Sequence, residues 1–397
     1  MANQFRYIIV GAGLAGSSAI EGIREQDRSG TLAMFGKEGH LPYNRPPLSK
    51  GLWTGKEKIS EISVHDEGFY RRNNVHLFLE SEVVEIDSKN KRVIDKSGTN
   101  FIFDKLLLAT GGSPRALSFG GDAVRYFRTV EDYLALREDA DRAKDYILIG
   151  GGFISCELAA ALTGIGKEVT MIFPGEILLD KVLPVELATF MTEYYEEKGV
   201  RIIRQDIPTS IERLNAKTTV TTKAGKKITG DVAVAAIGLN LHLEMAKKAG
   251  LKIGNGVMTN EFLQTSASHI YAAGDIASFP SKTLKKTIRM EHWNNAQLQG
   301  KHAGRNMAGA EKRFDELPYF WSDLFDFGFE AVGEVDSGQQ VVVDWHEKFR
   351  EGVMYYLDDR VVRGILLWNV WESVEKARSI LRSGREVAKP GDVKGIL

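Results

Sequence analysis

One local design occurs twice in this sequence, and that repetition limits the fold more than any other feature. Tyr7-Ile8-Ile9-Val10, an apolar run, leads into Gly11-Ala12-Gly13-Leu14-Ala15-Gly16 and then into helix-forming residues 17–24. Ile147-Leu148-Ile149 leads in the same way into Gly150-Gly151-Gly152 and a second helical run. A short buried strand, a glycine turn and a helix in that order form the parallel β-α-β pattern. Its glycines let the backbone turn tightly and approach a pyrophosphate. The helix that follows offers unpaired N–H groups and the positive end of its dipole to that anion. Two dinucleotide folds are therefore expected, and 397 residues exceed what one core usually supports.

The candidate phosphate contacts are Gly11, Gly13 and Gly16 in the first copy and Gly150 and Gly152 in the second, where Ser155 takes the third glycine's place. Serine is small enough to keep the helix packed. A ribose-binding acid is expected about twenty residues beyond each turn. Lys37-Glu38 offers Glu38, and Phe173-Pro174-Gly175-Glu176 offers Glu176, both about a residue out of register. The absence of an Arg there favours NADH over NADPH, with Lys181 as the opposing feature. Residues 146–166 carry only Glu157 as a charge over about the length of a membrane span. The glycine break and the strand-to-helix change read instead as soluble core.

Composition excludes several classes. Lys and Arg number 52 against 53 Asp and Glu, so net charge draws the chain to neither nucleic acid nor anionic lipid. Cys156 is the sole cysteine, which rules out an intrachain disulfide framework, a Cys-x-x-Cys centre and a cysteine-ligated cluster, and fits a reducing cytoplasm. Residues 1–10 lack the basic and apolar regions of a secretory leader, so a cytoplasmic location is expected.

Further motifs follow in order: Leu41-Pro42-Tyr43-Asn44-Arg45-Pro46-Pro47-Leu48-Ser49-Lys50, Ala109-Thr110-Gly111-Gly112-Ser113-Pro114-Arg115, Gly150-Gly151-Gly152-Phe153-Ile154-Ser155-Cys156-Glu157 and Ile270-Tyr271-Ala272-Ala273-Gly274-Asp275. Together they resemble the FAD-dependent pyridine-nucleotide oxidoreductases, in particular ferredoxin reductases of the oxygenase type and apoptosis-inducing factor. Phe320-Trp321-Ser322-Asp323-Leu324 and Gly364-Ile365-Leu366-Leu367-Trp368-Asn369 look most like the C-terminal domain of apoptosis-inducing factor. The resemblance covers essentially the whole chain. It implies an α/β fold with two Rossmann-like domains and a C-terminal α+β domain. FAD would take roughly residues 1–115 and 245–317, the nicotinamide 116–244, and an interface domain 318–397. In the last, strands over 352–357 and 361–369 flank an Asp358-Asp359 turn, before an amphipathic helix with Val374, Ala377, Ile380 and Leu381 on one face.

The same resemblance implies FAD held by Gly11, Gly13 and Gly16 at its pyrophosphate, by Arg45 and Lys50 along the flavin side, and by Arg115 and Asp275. Asp275, after Gly274, suits ribityl hydroxyls; capping a helix is the other reading. Glu38 substitutes for the acid that some relatives place at Lys37. The cofactor-binding set also includes Val83, Ala109, Thr110, Gly111, Ile154 and Gly238. Phe153 resembles the gating aromatic that yields to the nicotinamide, with core packing as the alternative. Glu157, one helical turn on, should share its face. In the family this Glu pairs with the Lys matching Lys50 beside flavin N5, and such a pair is better explained by orienting a cofactor than by stability. Lys50, Glu157 and Phe153 are thus the candidate catalytic residues. Glu291-His292-Trp293 open a helix through residue 306 whose N-terminus is expected at flavin N1 and the C2 carbonyl. Trp293 and Trp321 are candidates for the flavin face and His292 for a proton donor.

The implied activity is NAD(P)H-dependent reduction of a one-electron carrier such as a ferredoxin or rubredoxin, with no redox-active disulfide. A redox-responsive binding protein like apoptosis-inducing factor is the competing class, and an NADH oxidase using dioxygen the third. Lys282, Lys285, Lys286 and Arg289 would form a basic patch for a small acidic carrier, with Arg289 foremost because its planar guanidinium grips a carboxylate with two prongs. A solvated loop is the plainer reading of the same run. A homodimer is a further expectation.

Overall fold

The computed structural model describes residues 3–397. These form two compact units. One comprises residues up to Asn44 with Ser60–Ser113 and Asn240–Tyr319; the other comprises Arg45–Ile59, Pro114–Leu239 and Phe320–Leu397.

The first unit is built on a seven-stranded sheet in the order Val75–Phe78, Leu32–Phe35, Asn3–Val10, Asn100–Leu108, Arg92–Asp95, Val83–Asp87, with Ile270–Ala272 also pairing Asn100–Leu108. Ile8, Ile9, Leu32, Ala33, Leu106 and Leu107 are wholly buried, as a parallel sheet covered on both faces requires. Its register gathers the motifs. Val10 lies opposite Phe35 and Leu108, and Leu108 opposite Ala272. Parallel strands that end in step release the loops beginning at Gly11, Gly36, Ala109 and Ala273 from one edge. That carboxyl edge is where open α/β sheets bind ligands.

Helix Leu14–Gln26 follows the first glycine turn and packs on helix Trp293–Met307 almost backbone to backbone. A Cβ added at Gly300 would lie 2.1 Å from Ala15 O, and one at Gly304 2.1 Å from Ala19 O, so only glycine fits at either crossing point. Glu21 and Glu25 on the first helix pair with Lys301 and Arg305 on the second along the outer side.

The second unit repeats the plan with a five-stranded sheet ordered Arg201–Ile203, Glu168–Ile172, Asp145–Ile149, Val232–Ala235, Val124–Tyr126. Ile149 lies opposite Ile172 and Ala235, so the segments starting at Gly150, Phe173 and Ala236 also leave a common edge. Helix Phe153–Gly164 follows its glycine turn, and among the described residues no helix is long and apolar enough to cross a membrane. A five-stranded C-terminal sheet runs Tyr319–Leu324, Phe327–Gly333, Val361–Trp368, Glu351–Asp358, Gln340–Glu347. Its hairpin turns at Asp359, whose φ is +59°. Helix Val374–Arg382 buries Ala377 and Leu381 and half-buries Val374 and Ile380, so the stripe read from the sequence is the one that packs.

Candidate functional site

The first glycine turn has the form a phosphate needs. Gly11 has φ +117°, and a Cβ there would meet Ala109 O at 2.1 Å; one at Gly16 would meet Gly11 O at 2.1 Å. At Gly13 a Cβ would meet nothing within 4 Å. Two of the glycines are thus required by the protein's own backbone, whereas the face of Gly13 opens outward. Gly13 is also the N-cap of helix Leu14–Gln26, which has no side-chain cap and no acid in its first turn. Its first N–H groups suit an anion.

The second turn matches it. Gly150 has φ +130° and Ala236 O 2.4 Å from the Cβ position, Gly152 has nothing within 4 Å, and helix Phe153–Gly164 begins without a side-chain cap or an acid. Ser155 is buried with its hydroxyl 2.7 Å from the Gly150 Cβ position, so serine occupies the third site without displacing the helix. Beyond the two second strands, Glu38 accepts from the Tyr43 hydroxyl at 2.5 Å and Glu176 is exposed. The Val83 side chain is buried in the sheet's core, which leaves only its backbone for a ligand.

At the same carboxyl edge of the first unit, Ala109 N donates to Val10 O at 2.8 Å and His242 N to Gly111 O at 3.0 Å, while the Thr110 hydroxyl donates to His242 O at 3.2 Å. Gly274 has φ +78°, and Asp275 is the second residue of a short 3-10 turn capped by Ala273. The capping reading of Asp275 therefore gives way, and helix Trp293–Met307 has His292 as its N-cap, with no side-chain cap bond. Trp293 Nε1 donates to Asn44 Oδ1 at 2.7 Å, which anchors the indole by its polar edge. Burial lowers the His292 imidazole to about 4, against the opposing pull of Asp275, so it is neutral near pH 7. That removes it as a cationic proton donor there.

Arg289 differs from expectation too. Its guanidinium contacts Glu291 at 2.7 Å, Asp275 O at 3.0 Å and Asn255 Oδ1 at 3.3 Å, and its side chain is 15% exposed. These internal carboxylate, carbonyl and amide acceptors occupy the fork that a carrier would need. Lys282, Lys285 and Lys286 are exposed.

In the second unit Lys50 and Glu157 meet as the family resemblance implies, with Nζ 3.2 Å from Oε1. The rest of the cluster was not anticipated. Ser49 donates to Glu157 Oε2 at 2.6 Å, Ser322 donates to Oε1 at 2.7 Å, and Lys50 Nζ also lies 3.1 Å from Asp323 Oδ2. Glu157 is 7% exposed, and a carboxylate so buried is tolerable because three donors reach it. Trp321 sits with its ring 5.7 Å from Lys50 Nζ. Ser49 adjoins Lys50, Ser322 adjoins Trp321 and Asp323 lies two residues beyond Trp321, but closeness in sequence says nothing about where a side chain ends.

Phe153 is half-buried, its ring 5.7 Å from Phe320 and 6.0 Å from Phe329, so it packs on one side and is open on another; Ile154 is exposed. Arg45 donates to Arg128 O at 2.6 Å, and Arg115 N to Gly238 O at 2.9 Å, where Gly238 has φ +106°. Cys156 is fully buried, and burial, with the Glu157 charge adding to it, pushes its thiol far up. It supplies no thiolate.

Residues 5–300 match the family model described as pyridine nucleotide-disulphide oxidoreductase, and residues 303–347 and 338–383 match that of the mitochondrion-associated apoptosis-inducing factor C-terminal domain. The chain is 32% identical over 385 residues to the ferredoxin–NAD(+) reductase component of the anthranilate 1,2-dioxygenase system of Burkholderia cepacia, covering 95% of this chain and 94% of that one. To mitochondrial apoptosis-inducing factor 1 of Dictyostelium discoideum it is 30% identical, covering 97% and 79%. The crystal structure of a covalent putidaredoxin reductase–putidaredoxin complex superposes with TM-score 0.91 at 28% identity, covering 98% and 95%.

Proposed function

This chain belongs to the pyridine nucleotide-disulphide oxidoreductase family, and we propose that it is an FAD-dependent NAD(P)H oxidoreductase that hands electrons to a one-electron carrier protein such as a ferredoxin or rubredoxin. The observation that carries the proposal is the hydrogen-bonded Lys50–Glu157 pair at the second glycine helix, in a chain whose one thiol is buried. When bound, FAD accepts two electrons as hydride and releases them singly. The protein's own part is binding, orientation and charge. Gly11, Gly13 and Gly16 hold the FAD pyrophosphate; Gly150 and Gly152 hold that of the nicotinamide dinucleotide, and Glu176 meets its ribose. Glu157, fixed by the Ser49 and Ser322 hydroxyls, holds the Lys50 ammonium at flavin N5. Phe153 yields to the nicotinamide. In this division residues 1–115 and 245–317 serve FAD, 116–244 the nicotinamide, and 318–397 an interface.

Buried and undissociated, Cys156 lies off the electron path. Alkylating the native protein, or making Cys156→Ala, is expected to leave the bleaching of bound flavin by NADH unchanged in rate. Loss of flavin reduction without flavin release would sink the proposal.

Stopped-flow reoxidation of the NADH-reduced protein tests the acceptor. Fast oxidation by a ferredoxin or rubredoxin and slow oxidation by air is the expected result. A reduced complex that keeps its long-wavelength colour with carriers present would instead support the redox-switch reading, which the C-terminal match to apoptosis-inducing factor keeps in view. Rapid oxidation by air would support an oxidase. Reversing Lys282, Lys285 and Lys286 to Glu should cut the carrier on-rate roughly tenfold at low salt and flatten its salt dependence, because steering acts on encounter. NADH-to-ferricyanide turnover should change far less. Unchanged carrier kinetics would move the docking surface elsewhere.

A further inference from the structure

On helix Trp293–Met307 lies a glutamine with half its amide engaged. Gln299 is wholly buried, its Oε1 accepts from Gly274 N at 2.9 Å, and among the described residues its Nε2 has no hydrogen-bond partner. That nitrogen carries two donors, and folded proteins rarely leave a buried donor unmade. The surroundings are tight. The next residue, Gly300, has its Cβ position 2.1 Å from Ala15 O, and a Cβ at Gly274 would lie 3.2 Å from the Ala15 side chain. Gln299 therefore stands where the start of the first glycine helix, the Gly274–Asp275 turn and the later helix converge, all within one unit. The N–H that opens the Gly274–Ile276 turn is satisfied by this side chain, so the setting of Asp275 depends on it.

We propose that Gln299 is a positioning residue of the FAD site. Its carbonyl arm holds the Gly274 amide, and through it the Asp275 carboxylate, while its amino arm donates to an oxygen of the ribityl–pyrophosphate chain of bound FAD. The assignment rests on the functional reading above. It follows from the two arms of one amide: the first is fixed to the protein, and the second is a buried donor beside a glycine turn suited to an oxygen-rich anion.

Two variants separate the arms. Gln299→Glu keeps an acceptor for Gly274 N–H and removes the N–H donors; Gln299→Met removes both. FAD release followed by fluorescence, in the full chain, should quicken by about tenfold or more in both variants. A buried water in place of the FAD oxygen would simply turn to donate to the new carboxylate. In that case Gln299→Glu would release FAD at the parental rate and only Gln299→Met would release it faster, which overturns the assignment. A second measurement does not need the Glu variant to fold. With glutamine side chains labelled with nitrogen-15, the Gln299 amide signal, identified by its loss in Gln299→Met, should shift when FAD is added to the flavin-free parent. An unmoved signal overturns the assignment. A parent chain that takes up no FAD overturns the functional reading itself, and is thereby distinct from a flavin-binding parent with an indifferent Gln299.

Discussion

Glu157→Ala and Lys50→Ala are each expected to slow NADH-driven flavin reduction by on the order of 10²-fold, while most of the FAD stays bound. The size of the effect follows from burial. Glu157 is 7% exposed and receives Lys50 at 3.2 Å together with the hydroxyls of Ser49 and Ser322. Removing the carboxylate frees the ammonium to swing to Asp323, already 3.1 Å away and 60% exposed, so the cation would leave the place proposed for it beside N5. Removing Lys50 leaves a buried carboxylate with two neutral donors, which costs about 3 kcal/mol of stability, at the low end because the lysine is partly solvated. The pyrophosphate contacts proposed at Gly11, Gly13 and Gly16 would be untouched, which is why retention should survive. Anaerobic single-turnover reduction, with flavin content measured alongside, checks both halves. Parental reduction rates in both variants would show that the pair serves the fold alone.

The second large effect separates the two glycine turns. Gly13 and Gly152 are the two turn positions where an added Cβ would meet no atom of the described residues within 4 Å, whereas Gly11 and Gly150 would strike Ala109 O and Ala236 O. Gly13→Val is thus expected to yield a folded, nearly colourless protein whose unfolding midpoint matches that of the flavin-free parent, with FAD affinity down by at least about 10²-fold. Gly152→Val should stay yellow and lose affinity for NADH to a similar degree. Gly11→Ala and Gly150→Ala should instead destabilise the chain itself, because each needs a positive φ and each new methyl group strikes a backbone carbonyl. A yellow Gly13→Val that binds NADH poorly would exchange the roles assigned to the two turns.

The glycine turns, their strands and the helix stripe over 374–382 were legible in the sequence because each is a short-range pattern: apolar runs for strands, glycines for a tight turn, a 3.6-residue repeat for a buried face. The Lys50–Glu157 pair was legible only through family resemblance, since a helical apolar run gives no hint of which lysine reaches it. Tertiary structure decided the rest. Ser49 and Ser322 reach Glu157 across 108 and 165 residues of chain, and no spacing rule links them. Arg289 looked like an open contact for a partner and proved to be engaged by Glu291, Asp275 and Asn255, because its loop folds back on the Asp275 turn. His292 read as a proton donor from residue type alone, yet burial holds it neutral near pH 7. The sequence by itself determined two dinucleotide folds and the turns that carry them, because backbone conformation answers to local residue type. Which side chains close around Glu157, Arg289 and Gly274 was decided by sheet register and helix packing, because hydrogen-bond satisfaction and desolvation depend on neighbours that only the folded chain brings together.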